Sequence, residues 1–197
     1  MNNLINKENY PDFYIKLEKI LQKYHFKTPK IKLKKDDKHF FIKASMIPFS
    51  NSITCTTRSW NILNIEEKIA TILHEIWHIH SKNKILYIID FLLWFFVLYY
   101  AHFYLSFLPL ILLEIFILRI PFIASICYIS QHDEFSADKF SAENTDREFL
   151  KSALNKVSKE TFPPHLMRIY CVFIWPFNFH PSYEERIAKL NILIMQT

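Results

Sequence analysis

His74-Glu75-Ile76-Trp77-His78 sits in a run where Ile65, Ile69, Ile72, Leu73, Ile76 and Ile79 recur at helical spacing. That period predicts an amphipathic helix from about Ile65 to Ser81, its apolar stripe turned inward. Asn64, with Glu67 three residues on, reads as its N-cap and capping partner. Four positions make just over one turn, so the two imidazoles meet on one face, where they can grip one Zn²⁺. Glu75 between them is then set to act as a general base on a water at that ion. A single histidine on such a helix is more often a satisfied core residue, but two with an acid between them favour a metal. His80 lies off this geometry and reads as surface.

Upstream, Pro11 to Tyr24 predicts a first amphipathic helix, with proline suited to its first turn. Short extended candidates follow at Lys30 to Lys34, His39 to Ala44 and Ser52 to Thr57, which together predict a small sheet. The edge of such a sheet can take an added peptide strand, or can be purely structural.

Downstream, Ile85 to Ile129 carries only Asp90, Glu114 and Arg119 as formal charges. Its length is about twice the ~20 residues that cross a bilayer as a helix, which predicts two transmembrane helices with a turn near Ser106 to Pro109. A helical hairpin buried in a soluble core is the competing reading, but a chain of 197 residues has little else with which to cover it. The three charges are expected at an interface or turned toward protein. Met1 to Lys43 is polar and Lys-rich, with no apolar segment of a cleavable leader. Lys82 and Lys84 stand just before the first span. The expectation is a multi-pass integral membrane protein whose soluble part faces the cytoplasm.

The formal net charge of +5 suits proximity to anionic headgroups, and no nucleic-acid fold accompanies it. Three cysteines, Cys55, Cys127 and Cys171, show no paired spacing and are expected as free buried thiols. Glycine is absent, which removes any glycine loop for phosphates. The partners implied are a lipid bilayer and a polypeptide substrate; oligomeric state is open.

Past the apolar stretch, Gln131 to Ala142 predicts a helix with Glu134 and Asp138 on one face. Thr145 with Glu148 opens another helix, to about Lys159, by the capping-box pattern. Leu166 to Phe179 is apolar, broken by Pro176 and too short to span, and is expected against the core or the interface. Ser182 with Glu185 caps a last helix. The chain thus reads as mainly α with a small β-sheet plus a transmembrane hairpin. Residues 1–84 and 130–197 are the two parts of one catalytic domain, and 85–129 the membrane part.

Two histidines leave a catalytic zinc one protein ligand short. Glu134 is the leading candidate, since an even number of crossings returns the chain to the side that holds His74 and His78. Asp138, one turn on, is positioned to orient a ligand imidazole.

With these elements in order, the chain resembles the membrane zinc metallopeptidases that include the heat-shock protease HtpX and the CAAX prenyl endopeptidases. The resemblance rests on His74-Glu75-x-x-His78, the apolar hairpin, Glu134-x-x-x-Asp138 and the closing His180-Pro181-Ser182 with Glu185-Arg186-Ile187, and covers roughly Ala44 to Leu193. It implies a zincin-like (gluzincin) fold, zinc held by His74, His78 and Glu134, Glu75 as catalytic base, and cleavage of membrane or misfolded proteins. It also implies that the closing motif lies near the cleft. There His180, Tyr183 or Arg186 would meet developing oxyanion charge, unless Arg186 pairs structurally with Glu134 or Asp138.

Two features depart from that pattern. Trp77 stands where the family usually has glycine, adding bulk that could reshape or close the cleft, and spans ahead of the zinc helix are missing. A membrane regulatory protein with a structural zinc is therefore a second reading. A signalling metallopeptidase of the antibiotic-sensor type is a third, opposed by the Glu134 and His180 pattern.

Overall fold

The cap expected on the central helix forms: Asn64 Oδ1 accepts the Glu67 N–H at 2.9 Å, and Glu67 Oε2 accepts the Asn64 N–H at 2.8 Å. Two donors that a helix start leaves orphaned are thereby satisfied, and the helix runs Ile65–His80. A computed structural model describes residues 3–45, 50–81, 83–104, 120–161 and 180–192. Among them, in chain order, are β1 (Asn3–Ile5), α1 (Pro11–Lys23), β2 (Lys30–Lys34), β3 (Ile42–Ala44), β4 (Ser52–Thr56), α2 (Thr57–Ile62) and α3 (Ile65–His80). Then come α4 (Asn83–Tyr104), α5 (Ile120–Asn144), α6 (Arg147–Thr161) and α7 (Tyr183–Ile192). The architecture is mainly helical with a small mixed sheet. It divides into a first unit of Met1–His80, Phe135–Met167 and Ser182–Thr197 and a second of Ser81–Glu134 and Arg168–Pro181.

In the first unit the strand order is β1-β2-β4-β3. β1 runs antiparallel to β2, β2 parallel to β4, and β3 antiparallel to β4, where Ala44 faces Ile53. Alternation along the strands sends Ile31, Ile53 and Cys55 into the core and the lysines of β2 to the other face. β3 is shorter than the His39 to Ala44 pattern predicts. Asp36 accepts the N–H groups of Lys38 and His39, both at 3.0 Å, and so turns the chain where a strand would begin. Those donors and the His39 ring hold the half-buried Asp36 carboxyl down to about 2.

Two elements went unanticipated. β1 is three residues long, and its Ile5 carbonyl accepts the Tyr14 hydroxyl at 2.6 Å. α2 begins at a Thr56 and Ser59 capping box, which lacks the glutamate or glutamine that usually advertises one.

The core packs Phe13, Leu17 and Leu21 of α1 and Ile31 and Ile53 of the sheet against Ile69, Ile72, Leu73 and Ile76 of α3. Each such burial contributes about 1.5–3 kcal/mol. Ala70, on another side of α3, joins Leu150 and Leu154 of α6 and Leu190 of α7. Ser141 Oγ on α5 donates to the Ala70 carbonyl at 2.7 Å. Held on two sides, α3 cannot rotate about its axis, and this fixes where His74 and His78 point.

The later caps fall one as predicted and one displaced. Ser182 Oγ accepts the Glu185 N–H at 3.1 Å, with Glu185 Oε2 reciprocating to the Ser182 N–H at 2.8 Å. At the start of α6, Asp146 Oδ1 accepts the Glu148 N–H at 3.0 Å, whereas Thr145 Oγ1 donates back to the Ser141 carbonyl. The predicted Thr145 box therefore gives way to an aspartate cap, because the threonine hydroxyl is taken up by the preceding helix.

In the second unit α4 and the first part of α5 share a hydrogen bond from Ser125 Oγ to Asp90 Oδ2 at 3.2 Å and a Trp94–Phe122 ring contact at 5.8 Å. Asp90 is thus turned toward protein. The two transmembrane helices expected over Ile85 to Ile129 find no counterpart here, since no helix among the described residues is long and apolar enough to cross a membrane. The stretch is described as α4 and, from Ile120 on, the start of α5, and residues 105–119 between them lie outside the described ones. Glu114, Arg119, Leu166 to Phe179 and Cys171 lie outside the described residues. Cys55 and Cys127 are free and buried, as expected.

Candidate metal centre

Because His74 and His78 are one turn apart on a helix whose rotation is fixed, their Nε2 atoms converge to 3.2 Å. Two nitrogen ligands of one tetrahedral zinc stand roughly 3.3 Å apart when each bond is about 2.0–2.1 Å. His74 is buried and His78 half-buried. Behind His74, Asp138 Oδ1 lies 2.9 Å from Nδ1, so the proton resides on Nδ1 and the Nε2 lone pair is left to face the metal position.

Asp138 is itself gripped by Arg186, with Nε donating to Oδ2 at 2.7 Å and Nη2 to Oδ1 at 2.5 Å. Burial pushes the Asp138 carboxyl up, but hydrogen bonds and charge from His74 and Arg186 outweigh it and hold the group below the usual carboxylate range. Arg186 thus pairs with Asp138, one of the two partners open to it on sequence grounds, and its guanidinium is engaged behind the site.

Glu134 lies one turn before Asp138 on the unbroken helix α5. Its carboxylate and the two imidazoles offer ligand atoms that all lie within 4.8 Å of one another, so the three could hold a metal ion. His180 Nδ1 is 3.2 Å from Glu134 Oε1. The ring expected to meet an oxyanion thus contacts the candidate third ligand.

Glu75 Oε2 accepts the Ala44 N–H at 2.5 Å. Ala44 ends the edge strand β3, so the carboxylate between the histidines touches the open side of the sheet. No sequence signal announces this contact, because the donor is a backbone group. Trp77 points elsewhere: its ring packs 5.4 Å from Phe140, and its Nε1 is buried with no hydrogen-bond partner among the described residues. Its bulk is thus spent in the packing between α3 and α5. His80 is exposed, as expected, and stacks on Phe26 at 4.2 Å.

A family model described as Peptidase family M48 matches residues 15–194. Among solved structures, the crystal structure of S. mikatae Ste24p is similar in fold, with a TM-score of 0.70 at 17% identity over 96% of this chain. The chain spans about half of that protein, 51% of its length. No curated protein matches.

Proposed function

Since the chain belongs to peptidase family M48, we propose that it is a zinc-dependent endopeptidase in which His74, His78 and Glu134 hold the metal and Glu75 is the general base. The observation that carries this reading is the 3.2 Å approach of the two Nε2 atoms with Asp138 behind one of them. Its catalytic part is residues 1–84 with 130–197.

Bound there, zinc would supply Lewis acidity toward a peptide carbonyl and its attacking water. Glu75 takes the proton from that water and returns it to the leaving amine. To do so it exchanges its present partner, the Ala44 N–H, for the water. Asp138 keeps His74 in the tautomer whose Nε2 is free, and Arg186 keeps Asp138 ionised and in place; both act as positioning residues. His180 holds the Glu134 carboxylate, leaving Tyr183 as the candidate for oxyanion charge. The Trp77 packing onto Phe140 favours this reading over a regulatory protein with a closed cleft.

Substrates are read as membrane or misfolded proteins and the working place as a lipid surface. The support is α4, where Ile85, Ile88, Phe91, Leu92, Phe95 and Phe96 stand 48–59% exposed. Lys82 and Lys84 favour the cytoplasmic side.

Metal analysis of the purified full chain, with a casein assay, tests the assignment. Wild type is expected to carry one zinc and to cleave casein. Glu134→Ala is expected to lose both properties, and Glu75→Gln to keep the metal while losing activity about 10²–10⁴-fold. Casein cleavage undiminished in Glu75→Gln would remove the base, and full zinc in Glu134→Ala would remove the ligand.

A further inference from the structure

The metal centre leaves one broad surface of the first unit without a role, the outer face of its sheet. By alternation Lys30, Lys32 and Lys34 of β2 share that face, and the registers put Lys32, Thr54 and Lys43 in one lateral row. Leu4 opposes Lys32 from β1 and is 55% exposed. Lys30, Lys34 and Lys43 are exposed and Lys32 half-buried. Among the described residues none of these lysines pairs with a carboxylate.

Strands about 4.8 Å apart, with same-face residues about 6.6 Å apart along each, spread the four ammonium groups roughly 13 Å one way and 10 Å the other. A merely solvated face gains by interspersing both signs, because like charges on neighbouring strands repel. This face instead presents one sign on β2 and β3, with an apolar side chain at its flank on β1. An acidic peptide is a line of charge, and it would add along the sheet edge. Charges spread both along and across the strands, with an apolar group beside them, suit a bilayer surface, whose headgroups carry the charge and whose boundary takes the leucine.

We propose that the outer face of the sheet docks the chain on a bilayer surface bearing anionic headgroups, through Lys30, Lys32, Lys34 and Lys43, with Leu4 entering the boundary. The inference deepens the lipid-surface part of the proposed function and rests on it, but not on catalysis.

The test is flotation of the full chain with phosphatidylcholine vesicles, with and without phosphatidylserine. A lysine near an anionic surface changes partitioning about fivefold. Wild type is therefore expected to partition onto charged vesicles up to about a hundredfold better than the Lys30→Gln, Lys32→Gln, Lys43→Gln triple variant. The difference should vanish in about 1 M salt, where screening falls to ~3 Å. On neutral vesicles the two should float alike. Should the triple variant not fold, Lys43→Gln alone, at the sheet edge, is expected to cost about fivefold.

A folded variant that keeps the full preference for charged vesicles overturns the proposal. So does a result in which these lysines govern binding to an oligoglutamate peptide or an oligonucleotide instead of the vesicles. Flotation on neutral vesicles without charge preference removes the docking face alone, and flotation on neither kind removes the lipid-surface reading with it. Glu75→Gln should float as wild type, so a loss of proteolysis leaves the docking result intact.

Discussion

At the residue scale, His74 is defined by what stands behind it. An imidazole offers two nitrogens, and only a fixed acceptor on one commits the other to a ligand. Asp138 is that acceptor, and its charge survives burial because His74 and Arg186, the latter meeting both of its oxygens, outweigh it. Asp138→Asn keeps the shape and loses the charge. Its expected outcome is a 10–100-fold weaker zinc affinity, measured by chelator competition, with the fold retained. An unchanged affinity would show that His74 needs no such orientation. The pairing of His74 with His78 was legible four positions apart in the sequence. The grip of Arg186 on Asp138 was not, because it depends on how a residue of α7 meets α5 across 48 positions of chain.

At the element scale, the start of α3 carries more than a cap. Glu67 is almost wholly buried, and besides the Asn64 N–H it accepts from Ser152 Oγ at 2.6 Å and Lys156 Nζ at 2.7 Å, both on α6. One side chain thus closes the helix end and fastens α6 to it. Burial alone would raise the Glu67 carboxyl; the Lys156 ammonium, the Ser152 hydroxyl and the Asn64 amide outweigh it and hold it below its ordinary value. A carboxyl lowered on folding stabilises the native state above its unfolded pKa of about 4.3, and that contribution is lost as pH falls through the folded value. Glu67→Gln is therefore expected to cost about 2 kcal/mol at pH 7 and distinctly less near pH 3, read from urea midpoints. A gap that stays constant with pH would contradict the assignment. The Asn64 and Glu67 pair could be read from spacing. Its tie to α6 could not, since serine and lysine at 152 and 156 look like any solvated helix face. The same limit explains β3 and α6, where Asp36 and Asp146 won local hydrogen bonds that periodicity does not report.

At the scale of the whole molecule, the proposed metal joins residues 74 and 78 to residue 134, which the unfolded chain holds far from them. A ligand that binds only the folded form stabilises it by mass action, about 2.7 kcal/mol at a hundredfold excess over its dissociation constant. For a chain of this size that is a rise of about 5–10 °C in melting temperature. Scanning calorimetry with zinc and with chelator is expected to differ by that amount in wild type and by much less in His78→Ala. Equal melting in all four conditions would mean that no ion ties these segments together.

What the sequence determined by itself is everything that depends on near neighbours: the α3 stripe, its cap, the His74 to His78 spacing, the alternation of β2 and the Ser182 cap. These follow from helical and strand periods acting within a few residues. Tertiary structure alone decided that Trp77 packs onto Phe140, that Glu75 accepts the Ala44 amide, and that Arg186 serves Asp138. Each of those contacts joins segments tens of residues apart, and its partner is chosen by how buried faces fit together, which no local period encodes.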